Sequence, residues 1–318
     1  MARYRTRLPQ LDGGPFLTDG GLETTLVFID GIDLPHFAAI DLLRRDGGRE
    51  RLKRYSEQYL QIARDKGCGF VLESVTWRAS RDWTRKLGYS EAEHLRLNQI
   101  AIEDLAALRD HWETPATPVV VSGNIGPRGD GYDPGEVMTE QEAEAYHACQ
   151  IALFSDTEAD LVTAMTLTNV PEAIGIVRAA AKRSMPCVIS FTLETDGRLP
   201  TGQSLREAIE DTDAATDGAA AYFMINCAHP THFEAELAKG GDWINRIRGV
   251  RANASTRSHA ELDNSTDLDA GDPQQLGRDY ARLRKLLPSA NVFGGCCGTD
   301  HRHVEQISGH CAGHARAA

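Results

Sequence analysis

The sequence predicts a closed (β/α)8 barrel forming a single domain, and three observations point there. Short apolar and β-branched runs alternate with longer stretches of helical periodicity along the whole chain. The alternation repeats eight times over about 300 residues, the usual scale of one such barrel. No linker, tandem repeat or low-complexity block divides residues 1–318. A doubly wound open sheet also alternates strand and helix, but the strand count favours the barrel.

Phe16-Leu17-Thr18 is the first strand and stops at Asp19-Gly20-Gly21. A helix over 51–66 follows, with Leu52, Tyr55, Tyr59 and Ile62 on one stripe and Gly67 ending it. Phe70-Val71-Leu72 is the second strand and 91–111 the second helix. Pro118 to Ser122 is the third strand, running into Gly123. The third helix, 139–157, opens on Thr139 with Glu142 in its first turn, a pair that satisfies each other's backbone N–H groups. Leu161 to Met165 is strand four. Pro171 suits the first turn of helix 171–183, where its missing N–H would have no helical partner. Cys187 to Phe191 is strand five, and Ser204 with Glu207 repeats the capping pattern at helix 204–214. Tyr222 to Asn226 is strand six, and helix 230–239 ends at Gly240-Gly241. Ile247 to Arg251 is strand seven. Pro273 starts helix 273–286, Asn291 to Phe293 is strand eight, and 300–308 is the last helix. The Asp-rich stretch 259–272 fits neither pattern and is expected to be a long functional loop.

The net charge of -12 and the lack of a Lys/Arg run argue against a nucleic-acid partner. No apolar run approaches the roughly 20 residues that span a bilayer, and the basic N-terminus lacks a signal-peptide core. A cytoplasmic location is expected, and there the seven cysteines are thiols or metal ligands rather than disulfides.

Barrel enzymes place their chemistry at the C-terminal ends of the strands. The residues expected there are polar, glycine-rich and thiol-rich: Asp19-Gly20-Gly21 and Glu23, Glu73-Ser74 and Trp77, Asn226-Cys227, and Gly294-Gly295-Cys296-Cys297-Gly298. Zinc favours tetrahedral thiolate ligands, and three of them with one open position is a catalytic layout. Neighbouring cysteines cannot both reach one ion from a regular strand, whose side chains alternate. Gly294, Gly295 and Gly298 are expected to supply a bend that lets them. Cys227, Cys296 and Cys297 are therefore the expected Zn2+ ligands and catalytic residues, whereas Cys68, Cys149, Cys187 and Cys311 read as packing residues. A vicinal disulfide is the other reading of the 296–297 pair. His229, His301 and His303 are rival ligands by proximity. No HExxH, GxGxxG or GxxxxGK[ST] motif is present.

Asp19-Gly20-Gly21-Leu22-Glu23-Thr24, Asn226-Cys227 and Gly294 to Thr299 together resemble the homocysteine S-methyltransferase family, over about residues 13–308. The resemblance implies zinc held by the three cysteines, with a homocysteine-like thiol as the fourth ligand. It implies that Asp19 and Gly20 face the substrate and that Ser74 and Trp77 line the thiol pocket. Asn226 and Asn253 join them as expected substrate-binding positions, Asn253 through an asparagine–serine pair with Ser255. Gly123 to Pro127 resembles the family's loop after strand three. Where the family carries a Glu-Thr pair on strand four to hold the homocysteine amino group, this chain has Met165-Thr166. Glu23, Glu73 and Glu194 are the carboxylates that could stand in.

The implied reaction is zinc-dependent transfer of a methyl group from a sulfonium or ammonium donor, such as S-methylmethionine, S-adenosylmethionine or betaine, to a thiolate, giving methionine from homocysteine. Trp77, Trp83 and the acidic stretch 259–272 are expected to favour a cationic donor. A zinc lyase or hydrolase and a non-catalytic thiol-binding protein are the competing readings, the latter because of Met165. A fragment that works with a separate cobalamin protein is a further one.

Overall fold

The computed structural model describes residues 1–311. Eight parallel strands close on one another in chain order: β1 (Phe16–Leu17), β2 (Gly69–Glu73), β3 (Val119–Ile125), β4 (Leu161–Leu167), β5 (Cys187–Phe191), β6 (Tyr222–Asn226), β7 (Ile247–Ala252) and β8 (Val292–Gly295). β1 pairs with both β2 and β8, which closes the ring. The crossover helices are α1 (Gly48–Lys66), α2 (Glu91–Trp112), α3 (Glu140–Ser155), α4 (Val170–Ala181), α5 (Leu205–Ala215), α6 (Pro230–Leu237), α7 (Pro273–Leu286) and α8 (His301–Cys311). This is the expected (β/α)8 barrel. The expected domain span runs on through 312–318, which lie outside the described residues. No helix among the described residues is long and apolar enough to cross a membrane.

The strands are covered on both faces, so they read as near-continuous apolar runs; every residue of β4 is buried. Side chains such as Leu17, Phe70, Val162 and Phe223 pack outward against the helices. Phe16, Val71, Val120, Leu161 and Val188 form a separate cluster with Leu8 of the N-terminal segment. That segment closes one end of the barrel: Gln10 donates to the Tyr222 hydroxyl (3.3 Å) and Asn291 donates to the Gln10 carbonyl (2.7 Å). The opposite, C-terminal end stays open.

The caps at Thr139 and Ser204 form as expected, each with its partner glutamate. β3 and β4 run further than the sequence pattern suggests, so Gly123 and Asn124 belong to a strand rather than to a loop. The expected loop 259–272 contains a helical turn, His259–Asp263, capped by Ser258 with Glu261. This same capping pattern was readable, but the turn is too short to show periodicity. Short helical pieces also follow β1 (Leu22–Thr24, then a wide turn over Thr25–Ile29) and β2 (Arg81–Lys86).

Candidate active site and metal centre

The open end of the barrel holds a cavity of about 490 Å³. Cys227 enters it after β6, and Cys296 and Cys297 enter after β8. The Cys227 sulfur lies 3.1 Å from that of Cys296 and 3.5 Å from that of Cys297. Three thiolates about 2.3 Å from a tetrahedral zinc stand roughly 3.8 Å apart. The trio therefore fits such an ion after a shift of a few tenths of an ångström. All three sulfurs lie within 4.8 Å of one another, and no other group of three metal donors gathers so closely among the described residues.

The backbone is bent to allow this. Cys227 has φ 58, in the left-handed region that costs a non-glycine residue energy. Its carbonyl is fixed by His259 Nε2 (2.7 Å) and Asn253 Nδ2 (3.0 Å). After the cysteine pair, Gly298 is left-handed (φ 78) and lies against the Asp269 carbonyl, which a Cβ would meet at 2.6 Å. Gly294 and Gly295 play a different part from the expected bend. Both sit in β8, where a Cβ on Gly294 would meet the Asp19 carbonyl at 2.7 Å and one on Gly295 would collide with the Thr299 hydroxyl. They bring the first and last strand ends together, and the turning is done by Cys227 and Gly298.

Hydrogen bonds from Cys227 and Cys297 hold the Cys296 thiol well below its ordinary range, with the Arg251 guanidinium adding to the effect. Cys227, sharing its proton with that sulfur, is pushed well above.

Tyr132, from the loop between β3 and α3, places its hydroxyl 3.2 Å from the Cys227 sulfur and 3.5 Å from that of Cys297. Its ring stacks on His259 at 3.9 Å, nearly parallel. Sequence reasoning missed Tyr132, because its loop carries no periodic signal. It also missed Arg251, which is buried and bridges three elements. Its Nε donates to the Gly295 carbonyl (3.0 Å), Nη1 to the Thr18 hydroxyl (3.0 Å) and Nη2 to the Gly20 carbonyl (3.1 Å). Nη2 also pairs with Asp19 Oδ1 at 2.7 Å. Burial disfavours the guanidinium charge, but the Asp19 and Glu73 carboxylates outweigh it and hold Arg251 above its ordinary range. A cation near the C-terminal end of a barrel strand, at the rim where the site lies, was the available signal.

Asp19 and Gly20 line the cavity. Asp19 Oδ2 also accepts from the Tyr55 hydroxyl (3.1 Å). Glu23 and Glu73 line the same cavity. Burial pushes each carboxyl up to about 7, reinforced at Glu23 by Cys296 and Asp19 and eased at Glu73 by Arg251. Ser74 shares a hydrogen bond with Thr76 (2.6 Å) and accepts from the Asn124 N–H (2.9 Å). The indole of Trp77 donates to the Met165 carbonyl (3.3 Å). Asn226 clamps the strand opposite: it accepts from the Thr166 N–H (2.9 Å) and the Ser190 hydroxyl (2.6 Å), and donates to the Thr166 hydroxyl (2.8 Å). That clamp holds a bulge where β4 shifts register against β5 and Thr166 turns left-handed (φ 61).

Asn253 stands behind the cavity wall and reaches it only through the Cys227 carbonyl. His229 caps α6, and His303 bonds Asp300 (3.0 Å) and the Ala270 carbonyl (2.8 Å), so neither joins the thiols. Trp83 is buried away from the cavity beneath Arg78 and Lys86. Glu194 is turned to His259 Nδ1 (3.0 Å). The mouth is framed by Phe28, Phe37 and Trp77, with Asp130, Asp263 and Asp267 among them.

Fold and site together define a barrel enzyme built around a three-thiol centre. The sequence matches the homocysteine S-methyltransferase family over residues 16–311, and the chain belongs to that family. It is thus a methyltransferase by family. Its fold is similar to crystal structures of the homocysteine methyltransferase MmuM from Escherichia coli. The oxidized form is 20% identical, with a TM-score of 0.73, and the match covers 93% of this chain and 95% of that one. The metallated form is 19% identical with a TM-score of 0.72, covering 95% and 98%.

Proposed function

We propose that this protein transfers a methyl group from a cationic sulfonium or quaternary ammonium donor to the thiol of homocysteine, giving methionine, and that it does so as a zinc enzyme. The observation that carries the proposal is the convergence of the Cys227, Cys296 and Cys297 sulfurs at the open end of the barrel. These residues would hold the ion. When bound, zinc would supply the positive charge that lets a thiol lose its proton near neutral pH, where a free thiol of pKa about 8.5 is mostly protonated.

The chain's own residues have the remaining tasks of binding, alignment and water exclusion. Tyr132 directs its hydroxyl at the sulfurs and caps the centre on one side. Asp19, fixed by Arg251 and Tyr55, presents a preset carboxylate on the floor. Ser74 ties the end of β2 to β3 and Asn226 holds the bulge at the end of β4, which would fix the walls facing the acceptor. The aromatic and acidic mouth suits a cationic donor, by cation–π attraction and by its field. Displacing a neutral leaving group from such a donor needs no general base once the acceptor is a thiolate. MmuM, named for homocysteine methyltransfer and known in a metallated form, has the same fold and supports this reading. A centre of free thiols also calls for a reducing compartment, which supports a cytoplasmic location.

The test is to measure zinc content, then methylation of homocysteine with S-methylmethionine, S-adenosylmethionine, betaine and dimethylsulfoniopropionate in turn. About one zinc per chain is expected, with turnover on at least one donor. Full activity in a zinc-free Cys297→Ala variant would overturn the proposal.

A further inference from the structure

The cavity floor holds three carboxylates, and they are not equivalent. Both Asp19 oxygens are already engaged, Oδ1 by Arg251 and Thr18 and Oδ2 by Tyr55. Glu23 feels the negative charge of Cys296, which places it toward the thiol end of the site. Glu73 stands at the end of β2, and its Oε2 is buried without a hydrogen-bond partner. A buried carboxylate oxygen left without a partner is costly, and such an atom in a binding cavity calls for a donor from outside the protein. Ser122, Thr163 and the Arg251 charge favour the carboxylate, yet none of them bonds Oε2. Ser122 and Thr163 also bond each other (2.8 Å), and Arg251 directs its N–H groups to Asp19, Thr18 and two backbone carbonyls. On the wall of β4, Met165 contributes no charge, and its carbonyl is taken by Trp77.

We infer that Glu73 is the specificity-determining residue for the acceptor's ammonium group, so that the site selects thiols bearing an α-amino group and receives that group from β2 rather than from β4. The inference rests on the methyltransferase reading above and names the part of the acceptor that reading leaves unassigned. An ammonium donates to Oε2 and neutralises a carboxylate that burial otherwise disfavours, which is the pairing a desolvated anion requires. The same burial pushes the Glu73 carboxyl up to about 7 in the unliganded protein. Arg251 offsets part of that burial cost through its charge, and Oε2 is left for a ligand donor.

The experiment compares two acceptors that differ only in the amino group, homocysteine and 4-mercaptobutyrate. Their dissociation constants are measured by calorimetry on the zinc-loaded protein, with no methyl donor present. The wild-type protein is expected to bind homocysteine about tenfold or more tightly than 4-mercaptobutyrate. In Glu73→Gln that preference is expected to collapse toward unity, while the affinity for 4-mercaptobutyrate stays within about twofold, which also reports an intact thiol site. The matching Glu23→Gln variant is expected to keep the preference. Equal binding of the two thiols by the wild type, an undiminished preference in Glu73→Gln, or loss of preference in Glu23→Gln instead would overturn the inference alone. Failure of the wild type to bind either thiol would overturn the methyltransferase reading and the inference with it.

Discussion

Arg251 offers the sharpest test of how the site is held. Replacing it with methionine keeps most of its volume and its apolar stem but removes every polar contact. Asp19, partly buried in the cavity wall, is then left without its cation, a change that costs about 3 kcal/mol, the lower end for a buried pair. The carbonyls of Gly20 and Gly295 lose their donors as well, at about 1 kcal/mol each. The methionine recovers part of this by packing, so the expected net loss is about 4 kcal/mol. With an unfolding entropy of about 2.1 cal/mol/K per residue, that lowers the melting temperature of a 318-residue chain by about 6 °C. The assay is calorimetric melting of the wild type, Arg251→Met, Asp19→Asn and the double variant. Asp19→Asn removes the orphaned charge, so the double variant should recover about 2 kcal/mol relative to the sum of the singles. A melting temperature within about 1 °C of wild type for Arg251→Met, or strictly additive effects, would refute the claim that Arg251 joins the ends of β1 and β8 through Asp19.

Other outcomes follow from the same geometry. Because burial raises the Glu73 carboxyl from 4.5 to about 7, the folded protein binds its proton more tightly than the unfolded chain does. Stability relative to Glu73→Gln should therefore fall as the pH rises from about 4.5 to about 7 and level off above, as read by urea titration across that range; a difference curve of opposite slope would refute the assignment. Asn253→Ala should leave the zinc stoichiometry intact yet weaken zinc affinity by about tenfold in chelator competition, because Asn253 acts only through the Cys227 carbonyl. Gly294→Val should destabilise the fold by more than about 2 kcal/mol, since its Cβ would meet the Asp19 carbonyl; unchanged stability would show that the strand ends have room to part.

The barrel was legible because its signals are local and repeated. Apolar runs, caps such as Thr139 with Glu142, and glycine stops each mark an element from a few neighbouring residues. The three clustered cysteines were legible for a different reason: the topology rule sends the residue after every strand to the same rim, so Cys227 and Cys296-Cys297 meet despite their distance in sequence. Other features stayed hidden because they depend on side-chain reach across the barrel. Arg251 is one residue of an ordinary strand until its guanidinium is seen to touch Thr18, Asp19, Gly20 and Gly295. Tyr132 lies in a loop whose path no periodicity constrains. Asn253 shows the opposite error: a polar residue beyond a strand end was expected to meet substrate, and it instead braces the backbone of a cysteine. Of the three glycines expected to bend the chain only Gly298 does so; Gly294 and Gly295 sit in β8, where the lack of a Cβ admits close neighbours.

The stacking of Tyr132 on His259 has a mechanical consequence. His259 belongs to the acidic segment after β7 and grips the Cys227 carbonyl, while Tyr132 belongs to the segment after β3 and touches two of the sulfurs. Displacing either segment alone would unstack the pair and remove either the His259 contact on the Cys227 carbonyl or the hydroxyl contact on its sulfur. The stack thus ties two segments far apart in the chain to one strained turn, so the geometry of the three-thiol cluster depends on both of them at once.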